Sequence, residues 1–506
     1  MNHSSTAVDT GLRRRCRLRI LVATNWHRHY VWTQAVKRIR ETRQVEYGRE
    51  RRVAQRNNFL DDRQMRDFIG NGYVMVCPDL PRSFHDDLLS RTNEVFDREG
   101  NPGNNLLPRI PEIRRVLEDP TVRGALMSLL GEDYYMQPHR HPHYNHPQSE
   151  GQKMHQDGGR RWSHRTRRLL VFYYPQDTPM EIGPTGIVPG SHYYCTKDGA
   201  TLRDELAITG EAGMVTLANY DLWHRAMPNQ TDRRRYMMKF LFARMSEPEA
   251  PSWDAAERHW PNPDRPMHGH LWHWHHGHTN SFPDGNIYGA GSSTDSLLSR
   301  LDDETETECL DAAYALAGNG DDVVPRLIEK LGGASDRIRR NTCIALSAIG
   351  APAVSALTEA LGHRDDAVRA AAAETLGDIG RDASSAVPAL VEAARDEVAS
   401  VRMFAVEALG IAGQTNADSA NGIAPALSDE NERVRRNAGL AMVRLGQRAA
   451  GSIDALGEAL DNENRYVRAD SAGALHRIGT AEARDVLMPF LMTARWCSIT
   501  NRDTTH

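Results

Sequence analysis

The feature that most restricts this chain is a dipeptide on a fixed stride. Val or Ile followed by Arg occurs at Ile338-Arg339, Val368-Arg369, Val401-Arg402, Val434-Arg435 and Val467-Arg468, at spacings of 30, 33, 33 and 33 residues. Twelve residues after each aliphatic comes a glycine, at Gly350, Gly380, Gly413, Gly446 and Gly479, where a helix C-terminus calls for positive φ. In between, the fourth residue on is small (Thr342, Ala372, Ala405, Ala438, Ser471) and the eighth is large and apolar (Leu346, Leu376, Leu409, Met442, Leu475). That spacing puts both on one helical face. A second apolar helix is predicted before each, ending near Leu331, Leu361, Ala394, Leu427 and Leu460. One such pair cannot bury its face alone, so the pairs must stack on one another.

The array resembles HEAT repeats, of the HEAT-like type found in phycobilisome lyases. It is expected over residues 295–492 as an all-α solenoid, with a degenerate first unit around Leu316 and Gly320 as its cap. A stack of this kind presents an extended surface, so a protein partner is expected on it. The column Arg339, Arg369, Arg402, Arg435 and Arg468 is either a basic ladder for an acidic partner or a set of ion pairs with acids such as Asp366 and Glu432.

A chain of 506 residues has room for another folded unit besides the array. Its net charge of -5, with 25% charged and 40% hydrophobic residues, is that of an ordinary globular protein, and no nucleic-acid partner is expected from it. The six cysteines (Cys16, Cys77, Cys195, Cys309, Cys343, Cys497) form no CxxC pair. Neither a disulfide framework nor a structural zinc site is therefore expected, and a reducing, cytoplasmic setting fits. No run of 18 apolar residues occurs, so no membrane span is expected. Residues 1–56 are arginine-rich, with Asp9 the only acid among the first 40. They are expected to be a poorly ordered extension, and the bias is shared by mitochondrial presequences, RNA-binding arms and plain solvated tails.

A folded domain is expected over residues 57–245, opening with a helix, a turn at Gly70 to Gly72 and a strand from Tyr73. Short β-rich stretches follow at 134–140, 168–174, 213–218 and 234–244, a pattern that suggests a sandwich or barrel. Residues 246–294, with the block HGHLWHWHHGH between His268 and His278, lack periodicity and are expected to connect the two parts, leaving 493–506 as a tail.

His-x-Asp occurs three times, as His85/Asp87, His155/Asp157 and His363/Asp365. Iron(II) used in oxygen chemistry is held by two imidazoles and one carboxylate, and residues i and i+2 of a strand face the same side. Only His155/Asp157 lies among predicted strands. His85 falls in a predicted helix and His363 in a turn, so both are expected at the surface. Downstream, His224 is the candidate third ligand, and the run Arg233 to Arg235 opens the next strand, where a guanidinium can return beside the metal to bind a carboxylate. His139, His141 and His143 alternate on the strand before the metal block, facing either the pocket or solvent.

Four blocks in order, FIGNGYVMV, MHQDGGRRW, GPTGIVPGSH and WHRAMPNQTDRRR, make residues 60–245 resemble the phytanoyl-CoA dioxygenase family of iron(II)/2-oxoglutarate oxygenases. The resemblance implies a double-stranded β-helix (jelly roll) with flanking helices, so that the whole chain is multidomain. It implies His155, Asp157 and His224 as iron ligands, and Arg235, with Arg233 as the alternative, as the partner of the far carboxylate of 2-oxoglutarate. It also implies Asn229 near the cosubstrate, the alternative being a turn residue before Gln230; Trp162 as a pocket wall or else ordinary core; and GPTGIVPGSH as a loop that closes over the site or has a structural role alone. The expected activity is 2-oxoglutarate- and O2-dependent hydroxylation of a small organic substrate. Asp157 disfavours halogenation, because related halogenases carry Gly or Ala there. The alternative is a scaffold or targeting protein whose oxygenase domain is catalytically silent.

Overall fold

The strands of the first part alternate as their sequences require. In the computed structural model, which describes residues 58–158, 163–196, 203–278, 292–332, 335–416 and 418–493, the eight strands are β1 (Tyr73–Val76), β2 (Tyr134–Asn145), β3 (Arg168–Tyr173), β4 (Thr185–Ile187), β5 (Leu206–Ile208), β6 (Val215–Asn219), β7 (His224–Ala226) and β8 (Arg235–Arg244). They pair antiparallel in two sheets, ordered β1-β6-β3-β8-β2 and β5-β4-β7. Leu170, Phe172, Met237 and Leu241 meet Ile187 and Ile208 between the sheets. The alternate residues Leu169, Val171, Met238, Phe240 and Phe242 join the core that includes the helices. Both faces of β3 and β8 are covered, which explains their nearly unbroken apolar runs. This is the expected double-stranded β-helix.

Helices flank it. Helix α1 (Asp62–Asn71) starts in a capping box between Asp61 and Gln64 and stops at Gly72, whose φ of 81° suits a left-handed cap. Helices α2 (Arg82–Glu99) and α3 (Pro120–Leu130) follow. The segment expected as a plain connector carries a further helix, α4 (Pro266–His275), opened by proline at its first turn. Trp272 and Trp274 on it are fully buried, and Trp253 before it donates its indole N–H to Asp62 at 2.7 Å. Most of the histidine block is thus helix, with His268 and His275 buried. Lack of amphipathic periodicity is what a helix buried on several sides produces.

Two other expectations change. Strand β2 runs five residues beyond the expected 140, to Asn145, through a register shift between Met136 and Arg140. GPTGIVPGSH, expected as a closing loop, contributes β4, the buried central strand of the smaller sheet.

The second helix of each repeat is α5 (Asp336–Ile349), α6 (Asp366–Ile379), α7 (Ala399–Ala412), α8 (Glu432–Leu445) and α9 (Arg465–Ile478). All ten small and large residues of the repeat register are 0% exposed. Gly350, Gly380, Gly446 and Gly479 have positive φ, as expected. Gly413 does not: its φ is -87°, and a Cβ there would lie 2.0 Å from Ser419 Oγ, so close approach of the next helix demands the glycine. Arg339 pairs with Asp336 of its own helix and Arg468 bonds the carbonyls of its own turn, but the three central arginines of the column are spent between units. Arg369 grips Asp396 (2.7 and 3.0 Å), Arg402 grips Asp429 (2.7 and 3.0 Å) and Arg435 meets Glu463 (2.9 Å). These acids belong to the next unit's turn, not to Asp366 or Glu432, and their pairing rivets unit to unit instead of forming a ladder.

The repeat helices dock on the oxygenase part, with which they form one unit, Gln55–His506. Arg165 donates to the terminal carbonyls of α6, at Asp378 and Ile379. Arg167 is bidentate to Glu247 (2.9 and 3.1 Å) and reaches Asp378 (2.7 Å). Tyr135 of β2 donates to Asp470 of α9 (2.9 Å), and Arg477 is bidentate to Asp133 (2.7 and 2.6 Å). No single described helix is long and apolar enough to cross a membrane.

Two outcomes follow for stability. Arg167→Ala leaves Glu247 and Asp378 buried without their cation and should lower the unfolding free energy by about 3–5 kcal/mol; a loss of only about 0.5 kcal/mol in denaturant titration, as for a surface change, would contradict the docking. Burial pushes the Asp470 carboxyl up to about 7. A raised folded-state pKa favours folding below the ordinary carboxylate range, and that contribution is lost as pH rises through about 7. Asp470→Asn should therefore flatten the fall in unfolding midpoint across this window, and an unaltered pH profile would be inconsistent with it.

Candidate metal centre

The site begins with one antiparallel contact. His155 donates its backbone N–H to the His224 carbonyl (3.0 Å) and His224 returns the bond to His155 (2.9 Å). Residues paired in this way present their side chains to the same face, and the two rings lie 4.6 Å apart. Gln156, between the ligand candidates, points away and donates to the carbonyls of Tyr194 (2.9 Å) and Asp221 (2.6 Å). Asp157 returns to the His155 side. His155, Asp157 and His224 form the single metal-type group among the described residues, with ligand atoms all within 4.8 Å of one another.

Both imidazoles are held in the tautomer a metal needs. His155 Nδ1 lies 2.9 Å from the Lys153 carbonyl and His224 Nδ1 2.9 Å from that of Leu222. A carbonyl only accepts, so each Nδ1 carries the proton and each Nε2 keeps its lone pair. Those Nε2 atoms face Asp157, at 3.9 Å from Oδ1 for His155 and 3.8 Å from Oδ2 for His224. Burial, then the Lys239 charge, pushes His224 down to about 4. Burial alone would raise Asp157, but Lys239 and His224 hold it below the usual carboxylate range.

Lys239 is the residue that sequence reasoning missed. It is 2% exposed and its ammonium is bonded to Asp157 Oδ2. The available signal was alternation along β8, because Arg235, Met237 and Lys239 share a face. Arg235 is 1% exposed, gives its Nε–H to the Gly183 carbonyl (2.8 Å), and leaves Nη2 buried without a partner. Burial lowers it to about 10. Arg233 lies before the strand and is exposed, so the same-facing argument that kept it as an alternative does not apply. The unpartnered guanidinium nitrogen, on the same face of β8 as Lys239, fits the distal carboxylate of a dicarboxylate cosubstrate.

Asn229 takes the turn role, the alternative to a place near the cosubstrate. Its Nδ2 donates to Arg233 O (2.8 Å) and its Oδ1 accepts from Thr231 N (3.1 Å) and Oγ1 (2.8 Å). It builds the turn into β8 and has nothing left for a cosubstrate. Trp162 lies outside the described residues. His85 is on α2 as expected but buried, 2.9 Å from Tyr173 Oη, so it is a core residue and not a surface one. His363 accepts from Asp365 N–H (3.0 Å) in the turn that caps α6. His139, His141 and His143 share the pocket face: His141 is registered opposite Lys239 and His143 opposite Met237.

A double-stranded β-helix that turns two imidazoles and a carboxylate to one point defines the class of non-haem iron oxygenases. Residues 83–237 match the phytanoyl-CoA dioxygenase (PhyH) family model, and residues 354–421 and 420–496 match that of HEAT repeats. The chain thus carries a PhyH-family oxygenase domain of the non-haem iron, 2-oxoglutarate type, fused to a C-terminal HEAT array. No curated protein matches it. Among solved structures, the non-haem α-ketoglutarate-dependent carbocyclase SnoK from nogalamycin biosynthesis is 19% identical over 37% of this chain and 85% of its own, with a TM-score of 0.32. Iron-bound EctD from S. alaskensis is 19% identical over 40% and 82%, with a TM-score of 0.33. AviO1 from Streptomyces viridochromogenes Tue57 is 14% identical over 36% and 93%, with a TM-score of 0.30.

Proposed function

We propose that the chain is an iron(II)- and 2-oxoglutarate-dependent dioxygenase that hydroxylates a small organic substrate. The observation that carries this is the meeting of His155, Asp157 and His224, with Arg235 Nη2 unpartnered on the face of β8 that also presents Lys239 to Asp157. Iron bound there supplies the activation of dioxygen. In the balanced reaction one C–H becomes C–OH while 2-oxoglutarate and O2 yield succinate and carbon dioxide. The protein's share is positional. The Lys153 and Leu222 carbonyls fix the two rings, and Arg235 orients the cosubstrate through its far carboxylate. The free thiols Cys77, Cys195, Cys309 and Cys343 suit a reducing, cytoplasmic location. A protein partner of the array would meet surface that the docked oxygenase leaves open.

The second reading, a silent oxygenase used as a scaffold, is favoured by one observation, the Lys239 ammonium already seated on Asp157. Iron titration separates the two. Stoichiometric iron binding by the wild type supports the enzyme, whereas binding that appears only in Lys239→Ala supports the scaffold.

Asp157→Ala and His224→Ala should each abolish iron-dependent succinate release, and full release from either would refute the ligand set. Arg235→Ala should raise the 2-oxoglutarate Kd by roughly 30-fold or more, as expected for truncating one side of a buried ion pair. An unchanged Kd in calorimetry would remove Arg235 from the assignment.

A further inference from the structure

The histidine row on β2 is enclosed from outside the oxygenase. The His139 ring nitrogen lies 3.2 Å from Tyr466 Oη, and the two rings are stacked with 24° between their planes. Tyr466 is the second residue of α9, in the HEAT array. Its neighbour Arg465 donates through Nη2 to Tyr466 Oη (3.1 Å), while its Nη1 is shielded from solvent and has no hydrogen-bond partner among the described residues. His139 and His141 are 4.6 Å apart between ring centroids, and His141 and His143 4.7 Å. His143 Nε2 is likewise shielded and unpartnered. The row therefore runs from Arg465 to the register position of Lys239 on β8, whose ammonium touches Asp157.

This wall is built of donors. Burial first, then neighbouring charge, lowers His139 to about 3 and His141 to about 4, so both rings are neutral and can each donate one N–H. The charge balance points the same way. With iron bound, Asp157 would be one of its ligands, and Arg235 would meet the far carboxylate of 2-oxoglutarate. Lys239, 2% exposed, then has to share its carboxylate. A buried cation in that position is stabilised by an incoming anion.

We propose that the last HEAT helix completes the substrate pocket of the oxygenase, with Arg465 as a substrate-binding residue, and that this wall receives an oxyanion, phosphate or carboxylate, carried by the substrate. The inference rests on the iron and 2-oxoglutarate reading above. Tyr466 is a positioning residue that holds Arg465 and His139 together.

The test uses the full chain, anaerobic, with iron(II) and 2-oxoglutarate, and follows their complex by its visible absorption. Inorganic phosphate and acetate are then titrated by calorimetry as separate probes, so that the tighter one identifies the oxyanion. Arg465 is half-buried at the start of α9, so Arg465→Gln should fold. The expected result is saturable binding of one anion, weakened about tenfold or more in Arg465→Gln and less in Tyr466→Phe, with the absorption of the iron complex unchanged. No binding of either anion, or equal affinity in Arg465→Gln, with that absorption intact, overturns the inference and leaves the proposed function standing. Absence of the iron complex in the wild type overturns both.

Discussion

Two backbone hydrogen bonds between His155 and His224 hold the chemistry together. The residues are 69 positions apart, and no local preference could align them. An antiparallel pair fixes both the distance and the facing of the side chains it opposes, so one contact converts a loop residue and a strand residue into neighbouring ligands. The rest of the site depends on it. Asp157 arrives by alternation two residues on, Arg235 and Lys239 come in on strand β8 of the other sheet, and the carbonyls of Lys153 and Leu222 set the ring tautomers.

The HEAT array changes meaning once docked. Three of its five repeated arginines, Arg369, Arg402 and Arg435, link one unit to the next, and the helices that face inward hold the oxygenase through Arg165, Arg167, Tyr135 and Asp133. One of these contacts, Arg167 with Asp378, is an ion pair buried between the two parts, where the geometry must be good because both desolvation and attraction are large. The array thus acts first as a structural partner of the domain in its own chain. Its reach to His139 through Tyr466 ties a strand of the pocket to a helix of the stack.

Legibility in the sequence followed the range of the interactions. The helix register was readable because each unit repeats the same local packing, and all ten of its small and large positions are fully buried. The grouping of His155, Asp157 and His224 was readable because His-x-Asp among predicted strands has few other uses beside a distant histidine, although His155 lies in an isolated bridge and not in a strand. Strands β4 and β5 have three residues each, too few for a period-two pattern to stand out, and the glycines and prolines of GPTGIVPGSH read as a loop. Gly413 fitted the cap pattern but is glycine for want of space beside Ser419. Asn229 matched a position, yet its hydrogen bonds serve the turn.

The sequence by itself determined two things: a stacked helical array, and a β-domain carrying a metal triad. Both are periodic or short-spaced signals that one stretch of chain carries alone. Only the tertiary structure decided that Arg235, not Arg233, enters the interior, that Lys239 sits on Asp157, and that Arg465 of the array lies against Tyr466, which meets His139. Each of these is a matter of which cation is buried against which acid or ring across long separations, and burial is a property of the whole packed chain.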